Sequence, residues 1–153
     1  MRILAIHADY IEFEATKKAF KAAEEGIKEG KQRVNDCLVI LSAVEKRDEE
    51  NLGAVLERYV KEVKDIAGQV KAKRVVVYPY AHLSSTLASP DLAEKFLKDA
   101  EGLLKPDFEG ARAPFGWYKA FTLASKGHPL SELSREFSAG EKQEEVKAIE
   151  REK

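Results

Sequence analysis

The chain has 153 residues, the size of one domain, and its 44% hydrophobic content suffices for a core without disulfide or metal staples. A net charge of −1 excludes a polycation that tracks long nucleic acid, and the single cysteine, Cys37, excludes an internal disulfide and suits a reducing compartment. Charged residues reach 35%, above the usual quarter or so, which fits an ion-pair-rich surface; no apolar run approaches the roughly 20 residues of a membrane span, so a soluble cytoplasmic protein is expected.

In chain order, Arg2–His7 is a short apolar run and Tyr10–Thr16 alternates apolar with polar or charged, so both read as strands. With only Ala8-Asp9 between them, the spacing predicts an antiparallel hairpin. Residues 22–32 are charged and punctuated by Gly26 and Gly30, a loop; Asp36–Val44 is the most hydrophobic run and reads as a central strand. From Leu52 to Val70 the apolar residues step by three and four, predicting a helix started by Asp48 or Asn51 and laid across the sheet. Arg74–Tyr78 is a buried strand stopped by Pro79, and Tyr80–Ser85 is a corner. Ser89-Pro90-Asp91 opens a second helix that runs to Lys105-Pro106. A short strand at Glu109–Ala113, an aromatic strand at Trp117–Ser125 and a last segment at Leu130–Phe137 follow. The order predicts an α/β fold: a mixed, largely antiparallel sheet with two main helices against one face. Beyond residue 138 the composition turns charged, so residues 1–138 read as the domain and 139–153 as a linker or tail toward a possible downstream domain.

Neither a dinucleotide nor a P-loop glycine signature is present, nor a Gly-x-Ser-x-Gly elbow, and His7, His82, His128 and Cys37 do not share metal-ligand spacing. The richest stretch is Ala113-Pro114-Phe115-Gly116-Trp117-Tyr118-Lys119-Ala120-Phe121, in which a Pro–Gly turn feeds an aromatic strand carrying a lysine. His82, Lys119 and Glu132 each stand at a strand end or corner; they form one polar pocket if they converge and separate surface groups if they do not. Between Lys105 and Arg135 there are five Lys/Arg against three Asp/Glu, a slight basic bias beside aromatics that suits a few phosphates and a stacked base.

Three motifs carry a resemblance. The opening Met1-Arg2-Ile3-Leu4-Ala5-Ile6-His7-Ala8-Asp9-Tyr10, the corner Val77-Tyr78-Pro79-Tyr80-Ala81-His82-Leu83-Ser84, and Ala113–Phe121 with Lys126-Gly127-His128-Pro129-Leu130-Ser131-Glu132-Leu133 resemble the N-terminal editing domain of archaeal threonyl-tRNA synthetases over residues 1–138. The resemblance implies a fold like that of D-aminoacyl-tRNA deacylases, a homodimer, and hydrolysis of L-serine wrongly attached to threonine tRNA. It implies catalytic roles for Lys119 and His82, with His82 holding the lysine, and substrate contacts from Tyr118, Glu132, Pro79, Ala81, Ala113 and Phe115. No cofactor is implied for this domain; a full-length synthetase would use ATP and zinc elsewhere. The partner implied is the acceptor end of tRNA(Thr) carrying serine. A D-aminoacyl-tRNA deacylase and a non-catalytic tRNA-binding or dimerisation module are the competing readings.

Overall fold

The computed structural model describes residues 1–140, so the tail expected over 139–153 lies, from 141 on, outside the described residues. One long strand, β1 (Arg2–Lys18), is the axis of the sheet. On one side it pairs antiparallel with β2 (Gln32–Ala43). Its other side is shared: β5 (Trp117–Ser125) pairs with Ala8–Lys18 and β6 (Glu132–Glu136) with Arg2–Ile6, both antiparallel. β3 (Arg74–Pro79) and β4 (Glu109–Arg112) extend the sheet beyond β2 as parallel neighbours, in the order β4-β3-β2-β1-β5. Parallel pairs need crossovers, and α1 (Leu52–Val70) and α2 (Pro90–Leu104) supply them. Among the described residues no helix is long and apolar enough to cross a membrane.

The hairpin expected at Ala8-Asp9 is not formed; Arg2–Lys18 is a single strand. The sequence signal was real and its cause differs. Ile3 and Ala5 face the helices while Ile6 and Ala8 face away, but past Asp9 it is Ile11 and Phe13 that face away. The alternation slips by one residue at Asp9, where the register with β5 also shifts. On β2 the matching slip falls at Asp36, whose φ is +45°. Lys126 Nζ pairs with both carboxylates, at 2.9 Å from Asp9 and 3.2 Å from Asp36, and clamps the irregularity. A break in period thus reads as a turn in sequence and is a bulge in space.

The two sheet faces differ. Against the helices, Ile3, Ala5, Leu38, Ile40, Val75 and Val77 meet Val55, Tyr59, Val63 and Ile66 of α1 and Phe96, Leu97 and Ala100 of α2. Tyr59 and Phe96 join the helices edge to face at 5.6 Å, and Tyr59 Oη lies 2.8 Å from Ser42 Oγ, so its hydroxyl is not left unpartnered in the core. Asn51 caps α1 by accepting from the Ala54 N–H, and Lys71 in the left-handed region ends it. On the opposite face Ile6, Ile11, Phe13, Cys37, Val39, Leu41, Val76 and Tyr78 form a second apolar cluster, on the side away from α1 and α2. Cys37 is a buried small hydrophobe there, its thiol pushed up to about 11 by burial.

Two buried ionic clusters fasten the ends of β1 and β6. The Met1 ammonium lies 2.9 Å from Glu45 Oε1, 3.0 Å from Asp48 Oδ1 and 2.9 Å from the Phe137 carbonyl. Arg135 of β6 reaches through to α1, 2.7 Å from Glu62 Oε1 and 2.9 Å from Asp65 Oδ2. Ser84 Oγ donates to Glu45 Oε2 at 2.8 Å, so the first cluster also anchors the corner after β3.

Candidate active site

The face away from α1 and α2 carries the candidate site. Lys119 lies on β5 opposite Ala15 of β1, with its side chain over the Tyr78 ring of β3, 5.1 Å from the centroid. Its Nζ donates to two carbonyl oxygens, Pro114 at 3.0 Å and Trp117 at 2.9 Å. Pro114 lies in the turn before β5 and Trp117 is the strand's first residue; the turn bends back because Gly116 adopts φ +80°. Burial pushes the Lys119 ammonium down to about 8, and the Glu24 charge opposes that shift. An ammonium has three N–H donors, and two are fixed by the backbone. The result is a positioned cation on a half-buried wall, able to polarise an oxygen.

Around it runs a chain of aromatic rings. Tyr78 meets Phe13 at 5.9 Å, Phe121 at 5.5 Å and Tyr80 at 6.4 Å, and Tyr80 meets His82 at 5.3 Å. Phe121 is 43% exposed although it shares the face of Lys119, two residues away on β5. His82 sits in a short 3-10 turn (Ala81–Leu83) and is exposed, with Ala81 beside it and half-buried Pro79 at the end of β3. It does not hold the lysine. Backbone oxygens do that, and the imidazole stands two rings farther out.

Of the other expected contacts, Ala113 is fully buried in the same apolar cluster, whereas Phe115 joins the turn by its backbone and packs its ring against Phe20 and the helix-side core. Tyr118 follows Lys119's neighbour rule in reverse: adjacent strand residues face opposite ways, and its ring, 60% exposed, leaves the sheet on the other face. Glu132 is exposed on β6 opposite Ile6, nine β1 residues from the Ala15 partner of Lys119, roughly 30 Å along the strand. Within one chain Glu132 does not join Lys119.

Sequence reasoning missed the segment between β1 and β2, read only as a charged loop. Its Glu24 takes a two-pronged contact from Arg112, Nη1 at 2.6 Å and Nη2 at 2.8 Å, and Arg112 Nε reaches Glu101 of α2 at 3.1 Å. Burial alone would raise the Glu24 carboxyl, but hydrogen bonds from Arg112 and the Phe115 N–H outweigh it and hold the carboxyl below its ordinary value. The Ala19 N–H donates to the Gly116 carbonyl at 2.8 Å, so this segment is the outer wall of the turn. No local signal marks it, because Glu24 and Arg112 are 88 residues apart.

A surface groove of about 670 Å³ lies elsewhere, lined by Arg2, Glu45, Lys46, Arg47, Glu49 and Glu136 among others. Its basic groups are each paired with a carboxylate (Arg2 with Glu45, Lys46 with Glu49, Arg47 with Glu136), so shape alone marks it. Among the described residues no cluster of three or more His, Cys, Asp or Glu side chains is arranged to hold a metal.

Residues 1–137 match the family described as the archaea-specific editing domain of threonyl-tRNA synthetase. The threonine–tRNA ligase of Methanopyrus kandleri is 57% identical over 151 residues, covering 96% of this chain and 24% of that protein. That of Methanothrix thermoacetophila is 53% identical over 142 residues, covering 92% and 23%, and that of Methanocaldococcus jannaschii 50% over 146, covering 95% and 23%. The chain spans about a quarter of the length of the curated relatives it matches. With the family matched over all but the last residues, and half or more of the aligned positions shared with these ligases, the chain belongs to the archaea-specific editing domain of threonyl-tRNA synthetase.

Proposed function

We propose that this domain proofreads threonine tRNA by hydrolysing the ester of wrongly attached L-serine. The observation that carries the reading is the Lys119 ammonium, fixed by the Pro114 and Trp117 carbonyls at the edge of an aromatic wall. An aminoacyl ester is already activated, so its hydrolysis needs a placed water and a polarised carbonyl more than a nucleophile–base pair. Placement alone is worth several orders of magnitude in rate, and a positioned donor adds to it. Lys119 stabilises the developing oxyanion with its remaining N–H, while the terminal 2′-hydroxyl of the tRNA and backbone amides place the water. The exposed rings of Phe121 and His82, with half-buried Tyr80 between them, give the last bases of the acceptor end a surface on which to stack.

Selectivity has a physical motive. Serine lacks one methyl of threonine, and a missing methylene is worth only about 1–3 kcal/mol of discrimination at a synthetic site. A second site that admits serine and excludes the extra methyl removes what the first lets through.

The domain acts as a homodimer in this reading. The outer edge of β5 has no strand partner among the described residues, exposes Tyr118, and lies in one chain with a Glu132 that cannot reach Lys119. A second copy supplies both a cover for that edge and a route for Glu132 to the site. The test is deacylation of seryl-tRNA(Thr), with D-aminoacyl-tRNA and threonyl-tRNA as comparators and light scattering for mass. Loss of serine with the others spared is expected. Preference for D-amino acids identifies a D-aminoacyl deacylase, and tRNA binding without hydrolysis a passive module; either result removes the proposal.

A further inference from the structure

We propose that Glu24 is a positioning residue for Lys119, holding in place both of the backbone groups that hold the ammonium; the role in turnover rests on the hydrolytic reading above. The peptide between Pro114 and Phe115 is gripped at both ends. Its carbonyl accepts from Lys119 Nζ at 3.0 Å, and its N–H donates to Glu24 Oε1 at 3.1 Å. The second acceptor, the Trp117 carbonyl at 2.9 Å, belongs to a residue whose indole Nε1 donates to the Glu24 carbonyl at 2.8 Å. The Glu24 N–H closes the set by donating to the Phe115 carbonyl at 3.0 Å. A peptide group hydrogen-bonded at its N–H end is polarised into a better acceptor at its oxygen. The carboxylate therefore strengthens the hold on Lys119 through the peptide as well as through space.

The position of Glu24 is itself fixed. Arg112 of β4 grips the carboxylate with both terminal nitrogens and is tied to Glu101 of α2, so the turn is referred to the sheet and a helix. The segment that carries Glu24 buries only Ala23 beside it, which leaves its contacts with the turn as its main engagement with the rest of the fold. The charged and titratable groups facing this region are Glu24 on the loop, Arg112 on β4, Lys98 and Glu101 on α2, Tyr78 on β3, and Lys17 and Lys18 of β1, the last paired with Glu25. Among them Glu24 supplies the negative charge that opposes the desolvation of the ammonium.

The experiment titrates Lys119 directly, by NMR of lysine labelled with 13C in the intact domain, with Lys119→Met to assign the signal. In Glu24→Gln the Lys119 pKa is expected to fall by about one unit. In deacylation of seryl-tRNA(Thr) the alkaline limb of kcat moves down in pH by the same amount, with KM changed less than threefold. Glu24→Asp keeps the charge on a shorter stem, so it restores the pKa while kcat lies between the two. A Lys119 pKa and alkaline limb unchanged in Glu24→Gln overturn the proposal, as does a Glu24→Asp no closer to the parent than Glu24→Gln. Should Glu24→Gln not fold, Glu24→Asp is read alone: reduced kcat at unchanged KM supports positioning, and parental kcat overturns it. A parent domain that hydrolyses nothing removes the functional reading, while the NMR shift still decides what Glu24 does to Lys119.

Discussion

His7 and His128 are hydrogen-bonded ring to ring across β1 and the β5–β6 link. His7 Nδ1 lies 2.8 Å from His128 Nε2, with the rings edge to face at 5.0 Å. His128 Nδ1 accepts from the Leu130 N–H at 3.1 Å and so carries no hydrogen, which puts the proton on His128 Nε2 and makes His7 Nδ1 the acceptor. The pair ties the link between β5 and β6 to β1, alongside backbone bonds from Lys126 N–H to the His7 carbonyl and from His7 N–H to the Ser131 carbonyl.

Acid should loosen that tie. Burial, then the neighbouring His128 and Lys126, hold His7 below its ordinary 6.5. The unfolded chain therefore binds more protons below pH 6.5, and stability, full above that value, is lost as pH falls through the folded one. The melting temperature is expected to drop as pH falls below about 6.5, and His7→Gln to flatten that drop. Glu24 and Glu45, held below their ordinary 4.5, act only at lower pH, so the two windows separate. An equally steep loss in His7→Gln would place the acid sensitivity elsewhere.

Lys119→Met should cut deacylation by about 10²-fold or more, the scale of losing one oxyanion donor. In the parent, rate should decline above about pH 8 as the ammonium deprotonates. Because burial makes the folded state disfavour that charge at lower pH, the methionine variant is not expected to melt lower. Near-parental turnover would remove the lysine from the mechanism.

Gly116→Ala tests the turn. At φ +80° an added Cβ would stand 2.8 Å from Phe20 Cζ and 3.0 Å from Ala23 Cα, so strain and crowding act together. A loss of about 1–3 kcal/mol in denaturant unfolding is expected, with deacylation reduced beyond what the unfolded fraction accounts for. An alanine variant of unchanged stability and rate would contradict the packing of the Phe20–Ala23 wall.

Glu62→Ala should cost about 3–5 kcal/mol, because it strands part of the buried Arg135 charge that joins β6 to α1. Equilibrium urea unfolding measures it, and a change under about 1 kcal/mol would mean that the Asp65 contact alone suffices.

Periodicity exposed both helices and the inner strands, since Tyr59, Val63 and Ile66 or Phe96, Leu97 and Ala100 must share a face to be buried. It failed at Asp9, where a bulge and a turn break alternation alike, and only the pairing of β1 with β2, β5 and β6 tells them apart. Lys119 was legible because Pro, Gly and aromatics flank it; Glu24 was not, because its worth depends on a guanidinium 88 residues away.

The amino-acid order alone determined the class of fold and the stretch that bears the lysine, because burial and turn chemistry are local demands that each residue meets or fails by itself. Tertiary structure alone decided that Lys119 hangs from backbone oxygens above Tyr78, and that Glu132 lies far down the sheet. Those relations depend on strand register, and a shift of one residue, as at Asp9, re-aims every side chain beyond it.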